Sequence, residues 1–329
     1  MIFSESASND SVLLSIIIVN YNGKKFLDEC LASIEKNILF PHEVIIVDNA
    51  SSDDSVEYLK SAYPKVTLIE SDSNLGFTGG NNLGASYATS KYLLLLNNDT
   101  VIMSSLAPLI KILDSDDQIG ILGCRLCYGD GRQQESVGYI PSMLSLVLSW
   151  TPCSRLFQDL PLCRRTVRDS SMLYNQSNVE VEWVSGAFLI TRSDLWETLD
   201  GLDEKYFMYM EDTDYCRRAH ESNYKVVYSA DCNVIHYEGA GRSWIGERAL
   251  SNTADSYIIY VEKFYGKIHQ ALLRLLLPII FFARSFVYFV AANFHGDPVR
   301  KEKASAYWRV ALSILFNCGR RSQIVLEKV

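Results

Sequence analysis

A chain of 329 residues, 48% hydrophobic and 21% charged, is long enough for one large domain or two smaller ones with proper cores, and this composition excludes a disordered chain. The net charge of −8 hides an asymmetry: from Phe264 to Val329 ten basic residues stand against three acidic ones, a balance of +7, so residues 1–263 carry −15. An acidic body is a poor nucleic-acid binder, whereas a basic tail rich in Leu, Ile and Phe suits an anionic membrane surface.

Met1 to Asp10 is polar, with no basic run and no apolar core, so it does not read as a secretory signal, and the catalytic part is expected to face the cytosol. Leu13 to Val19 is a β-branched strand that breaks at Asn20-Tyr21-Asn22-Gly23. Helical spacing of Phe26, Leu27, Cys30, Leu31 and Ile34 predicts a helix over Lys24 to Asn37, and Glu43 to Val47 is a second strand ending in Asp48-Asn49. Ser51 to Asp54 can cap a helix running through Tyr63, Val66 to Glu70 is a third strand, and Asn81 to Thr89 is predicted helical before the strand Tyr92 to Leu96. This alternation implies a mostly parallel, doubly wound α/β sheet. Residues 128–180 are irregular and read as a mobile excursion, after which Val179 to Trp183, Gly186 to Ile190 and Lys225 to Tyr228 return as strands.

Eight scattered cysteines without a signal favour reduced thiols, and the single pair Cys124/Cys127 has neither a second pair nor a histidine at zinc spacing, so no zinc site is assigned. The stretch Gly76-Phe77-Thr78-Gly79-Gly80 is not GxGxxG, which disfavours a dinucleotide fold.

The chemistry concentrates in two places. Tyr92 to Leu96 ends abruptly in Asn97-Asn98-Asp99-Thr100, the pattern of a buried strand delivering an acid to a crevice. Downstream, Glu211-Asp212-Thr213-Asp214 is followed by His236 some twenty residues on. A departing phosphate needs a cation to neutralise it, and a hard cation takes oxygen ligands with one histidine at most, a need that Asp99 and His236 fit. A hydroxyl attacking an electrophilic carbon gains from a carboxylate that accepts its proton, and Asp212, between Glu211 and Asp214, has neighbours that would lift its pKa. Taken singly, each has a plainer reading: Asp48 and Asp99 as helix caps, Glu211 to Asp214 as a solvated helix start, His236 as a partly buried histidine, Trp183 as core or pocket wall.

As a set, these motifs resemble the bacterial GT-A glycosyltransferases of family 2, in particular their rhamnosyltransferase-like branch. The resemblance covers about residues 13–245 and rests on Val19 to Gly23, Val47 to Ser51, Asn74 to Phe77 with Gly80-Asn81-Asn82, Leu96 to Thr100, Trp183 to Ala187, Glu211 to Arg217, and His236 with Gly239. It implies that Tyr21 and Asp48 hold the nucleotide base, that Asn82 helps bind the nucleoside, that Asn49 and Gly76 belong to the same donor site, and that Asn97-Asn98-Asp99, also of the donor site, is a variant of the metal-binding DxD motif. Asp99 and His236 would hold a divalent cation, Mg2+ or Mn2+. Trp183, Gly186 and Ala187 would line the acceptor site, with Asp212 as the base of an inverting displacement and Glu211 and Asp214 in support. The chain departs from the family at Asp200-Gly201-Leu202-Asp203-Glu204 and at Asn223, where a glycine is usual, although Asn tolerates positive φ.

The tail, Ala271 to Asn293, is apolar but interrupted by Arg274, Pro278 and Arg284, and a mid-bilayer Arg costs roughly 2.5–3.5 kcal/mol on insertion scales. At 100° per residue Lys267, Gln270, Arg274, Arg284 and Ser285 share one side, which predicts an amphipathic helix lying on the membrane; the alternative is a helix packed on the catalytic domain. The expected organisation is a tail over 1–12, a GT-A domain over 13–250 (nucleotide-sugar half 13–126, acceptor half 127–250) and a membrane-associating region over 251–329. The resemblance implies a nucleoside diphosphate sugar donor, with dTDP-rhamnose ahead of UDP-galactose or UDP-N-acetylglucosamine, and a lipid-linked glycan acceptor at the cytoplasmic face of a bacterial inner membrane. Self-association stays open, and the non-enzymatic alternative is a silent glycan-binding or scaffold protein.

Overall fold

The computed structural model describes residues 12–152, 154, 160, 164–168, 171–237 and 246–316; Gly239, Cys153, Cys163, Cys318 and most of the 1–12 tail lie outside the described residues. The chain opens with β1 (Leu14–Asn20), α1 (Lys24–Asn37), β2 (His42–Asp48), α2 (Ser55–Ala62), β3 (Thr67–Glu70), α3 (Gly76–Ala85) and β4 (Tyr92–Asn97). A tight turn leads to β5 (Thr100–Ile102), then α4 (Ala107–Ser115) and β6 (Ile119–Cys127). The β1, α1 and β2 segments stand within a residue of where periodicity put them. The third helix does not: it begins five residues before the predicted Asn81 and ends four before Thr89. Its first turn is glycine-rich, which weakens helix propensity. Those glycines let it lie close on the sheet, since a Cβ at Gly84 would stand 2.5 Å from Ile17 and one at Gly80 2.7 Å from Val19.

Strands β3, β2, β1 and β4 run parallel in that order, β10 (Phe188–Arg192) enters antiparallel between β4 and β6, and β11 (Lys225–His236) runs parallel to β6. With β5 and β8 (Val179–Glu180) antiparallel to β11, six of nine strands point one way, the mostly parallel sheet that the alternation implied. Lys225–Tyr228 and Val234-Ile235 prove to be one long strand with a bulge between Ser229 and Asn233, which carries His236 to the sheet's carboxyl edge. The predicted strand Val179 to Trp183 is divided: β8 joins the main sheet, while β9 (Trp183–Val184) pairs with β7 (Val137–Gly138) in a separate ribbon. The described part of 128–180 is accordingly built in rather than an excursion. It contributes β7, α5 (Met143–Ser149) and a 3-10 turn at Met172–Asn175, pinned by buried Tyr174, whose hydroxyl accepts from Ser136 N at 3.1 Å and donates to Val167 O at 2.9 Å.

The two faces of the sheet carry separate apolar clusters, one around Leu14, Ile46, Leu94 and Leu109, the other around Ile17, Leu95, Leu189 and Tyr215. After α6 (Ser193–Thr198) and α7 (Glu211–Glu221), three C-terminal helices follow: α8 (Gly246–Tyr265), α9 (Lys267–His295) and α10 (Pro298–Phe316). They build a third cluster, Tyr257, Leu277, Phe281 and Tyr307 among others, which takes in Trp150, Tyr206 and Met210 of the body. Lys263 pairs with Asp203 and Asp214, Tyr265 donates to Pro141 O, and Ser256 to Met208 O. The expected boundary at residue 250 thus falls inside a continuous helix.

Helix α9 is amphipathic, with an exposed apolar face and with part of the predicted polar side turned toward the body. Arg284 points inward, over the rings of Trp150 and Tyr307, and Ser285 is buried, donating to Ala304 O. Ile279 and Phe286, 64% and 68% exposed, mark the outer face. Aromatic π-faces accept a guanidinium, which lets Arg284 sit toward the body while Lys267, at the start of the same stripe, stays exposed. The 29-residue helix spans about 43 Å and is long and apolar enough, by length and composition, to cross a membrane.

Candidate active site

The site is assembled at the carboxyl ends of the parallel strands. Register puts Asn20 opposite Asp48 and Val19 opposite Asn97, so adjacent strand ends deliver Asn20, Asp48 and Asn97 side by side. Asp48 is buried; its Oδ2 accepts from Asn20 Nδ2 at 2.9 Å and its Oδ1 from the Ser51 amide at 2.8 Å. Asn20 in turn accepts from Asn98 Nδ2 at 2.8 Å. Tyr21 follows β1 with its ring 40% exposed. Asn20 belonged to the same sequence motif and went unassigned; its signal is that it ends β1 as Asp48 ends β2.

Two predicted donor residues have other tasks in this structure. The Asn82 amide donates to Leu202 O and Glu204 Oε1 and its oxygen accepts from Leu202 N, so the side chain is spent on holding the 202–204 loop. Asn49 Nδ2 donates to Gly76 O, fixing the start of α3, while its buried Oδ1 has no partner among the described residues. Gly76 has φ +74°, and a Cβ there would stand 2.3 Å from Phe207 O, so the position demands glycine.

At the other side of the same edge, β5 and β11 pair His236 with Thr100, and Tyr237 N donates to Asp99 O. Gln134 Nε2 donates to His236 O at 2.7 Å, which leaves its Oε1 as the atom 3.0 Å from His236 Nδ1. Nδ1 therefore carries the proton, and the Nε2 lone pair faces Asn97 Nδ2 at 3.2 Å and Asp99 Oδ1 at 3.3 Å. A lone pair and a carboxylate oxygen turned toward each other want a cation. Two protein donors of this kind fit a Mg2+ or Mn2+ ion that completes its shell with substrate phosphates and water. Among the described residues no cluster of three His, Cys, Asp or Glu forms a metal cage. Gln134, which sets the tautomer, was not foreseen, because nothing in Arg132-Gln133-Gln134-Glu135 marks it.

The acidic segment opens α7. Tyr209 and Met210 precede it with φ of +74° and +69°, two consecutive left-handed residues that turn Glu211 and Asp212 into a cleft of about 420 Å³. Asp212 is half-buried: Oδ2 accepts from Gly186 N at 3.0 Å, and Oδ1 from Thr213 N at 2.6 Å. Burial pushes its carboxyl above the usual range, against the lowering effect of those N–H donors. Glu211 is buried, its Oε2 without a partner among the described residues, and burial together with the negative charge of Asp212 drives it well above the ordinary value. Asp214 is not in the cleft. Fully buried, it is locked between Arg218 at 2.6 Å and Lys263 at 2.7 Å, which makes it a structural ion pair rather than a supporting catalytic acid.

Trp183 lines the cleft, its Nε1 donating to Tyr139 O and Arg165 O at 3.1 Å each. Gly186 presents its amide to Asp212, and buried Ala187 accepts from Asn97 N at 3.1 Å, joining the Asp212 side to the Asp99 and His236 side through one backbone bond. Described Cys30, Cys124, Cys127, Cys216 and Cys232 are free thiols. Asn223 adopts φ +63°, as its place in a glycine-type turn requires.

A mostly parallel sheet with Asp212, the facing Asp99 and His236 and an anchored Asn20/Asp48 pair gathered toward its carboxyl edge has the architecture of the GT-A fold. The family model "Glycosyl transferase family 2" matches residues 15–170, which form a domain of that family. It is similar to the N-acetylglucosaminyl-diphospho-decaprenol L-rhamnosyltransferase of Mycobacterium tuberculosis, 26% identical over 77% of this chain and 86% of that protein. It is also similar to Rhamnosyltransferase WbbL of Escherichia coli, 24% identical over 68% of this chain and 83% of that protein. In fold it resembles a mannosyltransferase from Pyrobaculum calidifontis solved with GDP-Man and Mn2+, with a TM-score of 0.55 and 15% identity over 94% of this chain and 89% of that one.

Proposed function

We propose that the enzyme transfers L-rhamnose from dTDP-rhamnose to a hydroxyl of a lipid-linked glycan, with inversion, at the cytoplasmic face of a bacterial inner membrane. The observation that carries this reading is Asp212, a carboxylate of raised pKa held at the lip of a cleft by the Gly186 amide. It accepts the proton of the acceptor hydroxyl as the hydroxyl oxygen bonds to the anomeric carbon, while the bond from that carbon to the donor diphosphate breaks on the opposite face. Asp99 and His236 would hold a divalent cation, which when bound neutralises charge on the leaving diphosphate. Asn97 and Gln134 orient the imidazole, and Tyr21 and Asp48 meet the nucleotide base. The similarity to two rhamnosyltransferases supports the sugar, and the name of the mycobacterial relative supports a lipid-linked acceptor. The exposed apolar face of α9 supports attachment to the membrane surface.

The test is thermal shift against a panel of nucleotide sugars with Mn2+, followed by product analysis. A ligand at a hundred times its Kd adds roughly 2.7 kcal/mol of apparent stability. dTDP-rhamnose is expected to give the largest shift and a product of inverted anomeric configuration. A larger shift with UDP-galactose or UDP-N-acetylglucosamine would replace the donor, and binding without transfer or slow hydrolysis would favour a silent glycan-binding protein.

A further inference from the structure

The cleft beside Asp212 holds two cations that the transfer chemistry leaves unused, Arg165 from the body and Arg284 from α9. Arg165 lies 4.8 Å over the Tyr257 ring, and Arg284 lies 6.0 Å over Trp150 and 5.2 Å over Tyr307. Trp150 and Tyr257 meet edge to face at 5.7 Å, so both guanidiniums sit on one aromatic pair. The backbone under Arg165 is fixed, its carbonyl accepting from Tyr139 N at 2.9 Å and from Trp183 Nε1.

Among the described residues neither arginine forms an ion pair with a carboxylate. Arg165 donates to the Tyr257 hydroxyl and to the Met210 sulfur, and its buried Nε has no acceptor. Burial brings it down to about 10, the direction expected of a cation held without its counter-ion. The neighbouring acids do not remedy this. Asp214 is taken by Arg218 and Lys263, Glu211 is driven toward its neutral form, and Asp212, whose hydrogen bonds go to Gly186 and Thr213, attracts Arg165 only through space. Two like charges gathered on one wall are unfavourable until an anion joins them, and planar guanidinium forks match phosphate oxygens. Farther round α9, Leu276, Ile279, Phe286 and Val287 form the exposed apolar face.

We infer that Arg165 and Arg284 form the subsite for the diphosphate of a prenyl diphosphate-linked acceptor, whose sugar hydroxyl lies at Asp212 and whose prenyl chain leaves along the apolar face of α9. This rests on the reading of Asp212 as the base and adds the chemistry that joins sugar to lipid. Inorganic pyrophosphate shares that chemistry, so the test separates the two sources.

Full-length enzyme in detergent with Mn2+, saturated with the nucleoside diphosphate chosen by the donor panel so that the donor site is filled, is titrated with farnesyl diphosphate, farnesol and inorganic pyrophosphate. Farnesyl diphosphate is expected to bind at least about tenfold more tightly than either of the others, and Arg165→Gln and Arg284→Gln each to lose about tenfold or more for it while keeping nucleoside diphosphate affinity. Equal affinity for farnesyl diphosphate and farnesol overturns the subsite, as does pyrophosphate binding as tightly as the prenyl compound. Variants that lose nucleoside diphosphate instead would assign the arginines to the donor and overturn it too. Should a variant fail to fold, the preference of the unaltered enzyme among the three probes decides alone. A wild-type enzyme that binds no nucleoside diphosphate sinks the transferase reading, while the same titration in Mn2+ alone still decides the subsite.

Discussion

The strand-end cluster around Asp48 and Asp99 and the cleft around Asp212, proposed as the donor and acceptor ends of the site, are built in different ways. Asn20, Asp48, Asn97 and Asp99 stand at or just past the ends of adjacent strands, where register alone sets their spacing. Around Asp212 the cleft is made by segments far apart in the chain: Arg165, Trp183, the turn at Tyr209-Met210, Tyr257 of α8 and Arg284 of α9. The first arrangement inherits its precision from the sheet, whereas the second depends on how well three helices dock. A change at the donor end should therefore alter ligand affinity locally, and a change at the acceptor end should also alter stability or geometry.

The sharpest test is Asp212→Asn. Transfer should fall by about 10²–10⁴-fold with nucleoside diphosphate affinity unchanged, measured by turnover at saturating acceptor and by calorimetry. Near wild-type turnover would remove the base from the acceptor end altogether. Next comes Asp214→Ala, which leaves Arg218 without its carboxylate and Lys263 with Asp203 alone, and should cost about 3–5 kcal/mol in denaturant unfolding. An unchanged unfolding midpoint would return Asp214 to the chemistry.

At the donor end, Gln134→Leu removes the acceptor that sets the His236 tautomer and should weaken metal affinity about 10–100-fold, with binding of the free nucleoside unaffected. Asp99→Ala or chelation should show the same split between nucleoside diphosphate and nucleoside, and equal losses for both would count against a cation there. The pH profile addresses the other end: a base must be ionised to accept a proton, so turnover falls as pH drops through the raised pKa of Asp212, and its acid limb should lie above the usual carboxylate range. A limb at the ordinary aspartate value would mean that Asp212 is more hydrated than its surroundings indicate. The smallest effect is expected from Ile279→Ser with Phe286→Ser, which should reduce flotation with anionic vesicles and leave donor binding intact. Added salt should weaken wild-type flotation only in part.

This contrast also governs what could be read before the fold was seen. Strand ends are legible because an apolar run that stops at Asn or Asp announces both the strand and its exit, as at Leu96-Asn97 and Val47-Asp48. The acidic cluster marks Asp212 and Asp214 alike, and only the fold shows that Asp212 faces the cleft while Asp214 is buried against Arg218 and Lys263. The hold of Asn82 on the 202–204 loop is illegible in the sequence because its partners, Leu202 and Glu204, lie 120 residues or more away, and local pattern carries no such information. What α9 packs against is illegible for a similar reason: a helical projection finds the basic stripe but not that Arg284 meets the rings of Trp150 and Tyr307.

The two left-handed residues before Asp212 give the C-terminal helices a further task. A non-glycine residue in that region costs roughly 1–2 kcal/mol, and Met210 is kept there with its side chain buried among Trp150, Tyr257 and other residues of the helical cluster. Loosening that cluster, for instance by trimming Phe281 to Ala on α9, lets residues 209 and 210 relax toward ordinary backbone angles and swings Asp212 off the Gly186 amide. Turnover should then decline while donor affinity holds, in an enzyme altered nowhere near its reacting atoms. The helices act on the reaction as a brace, storing in two dihedral angles the alignment that the base needs.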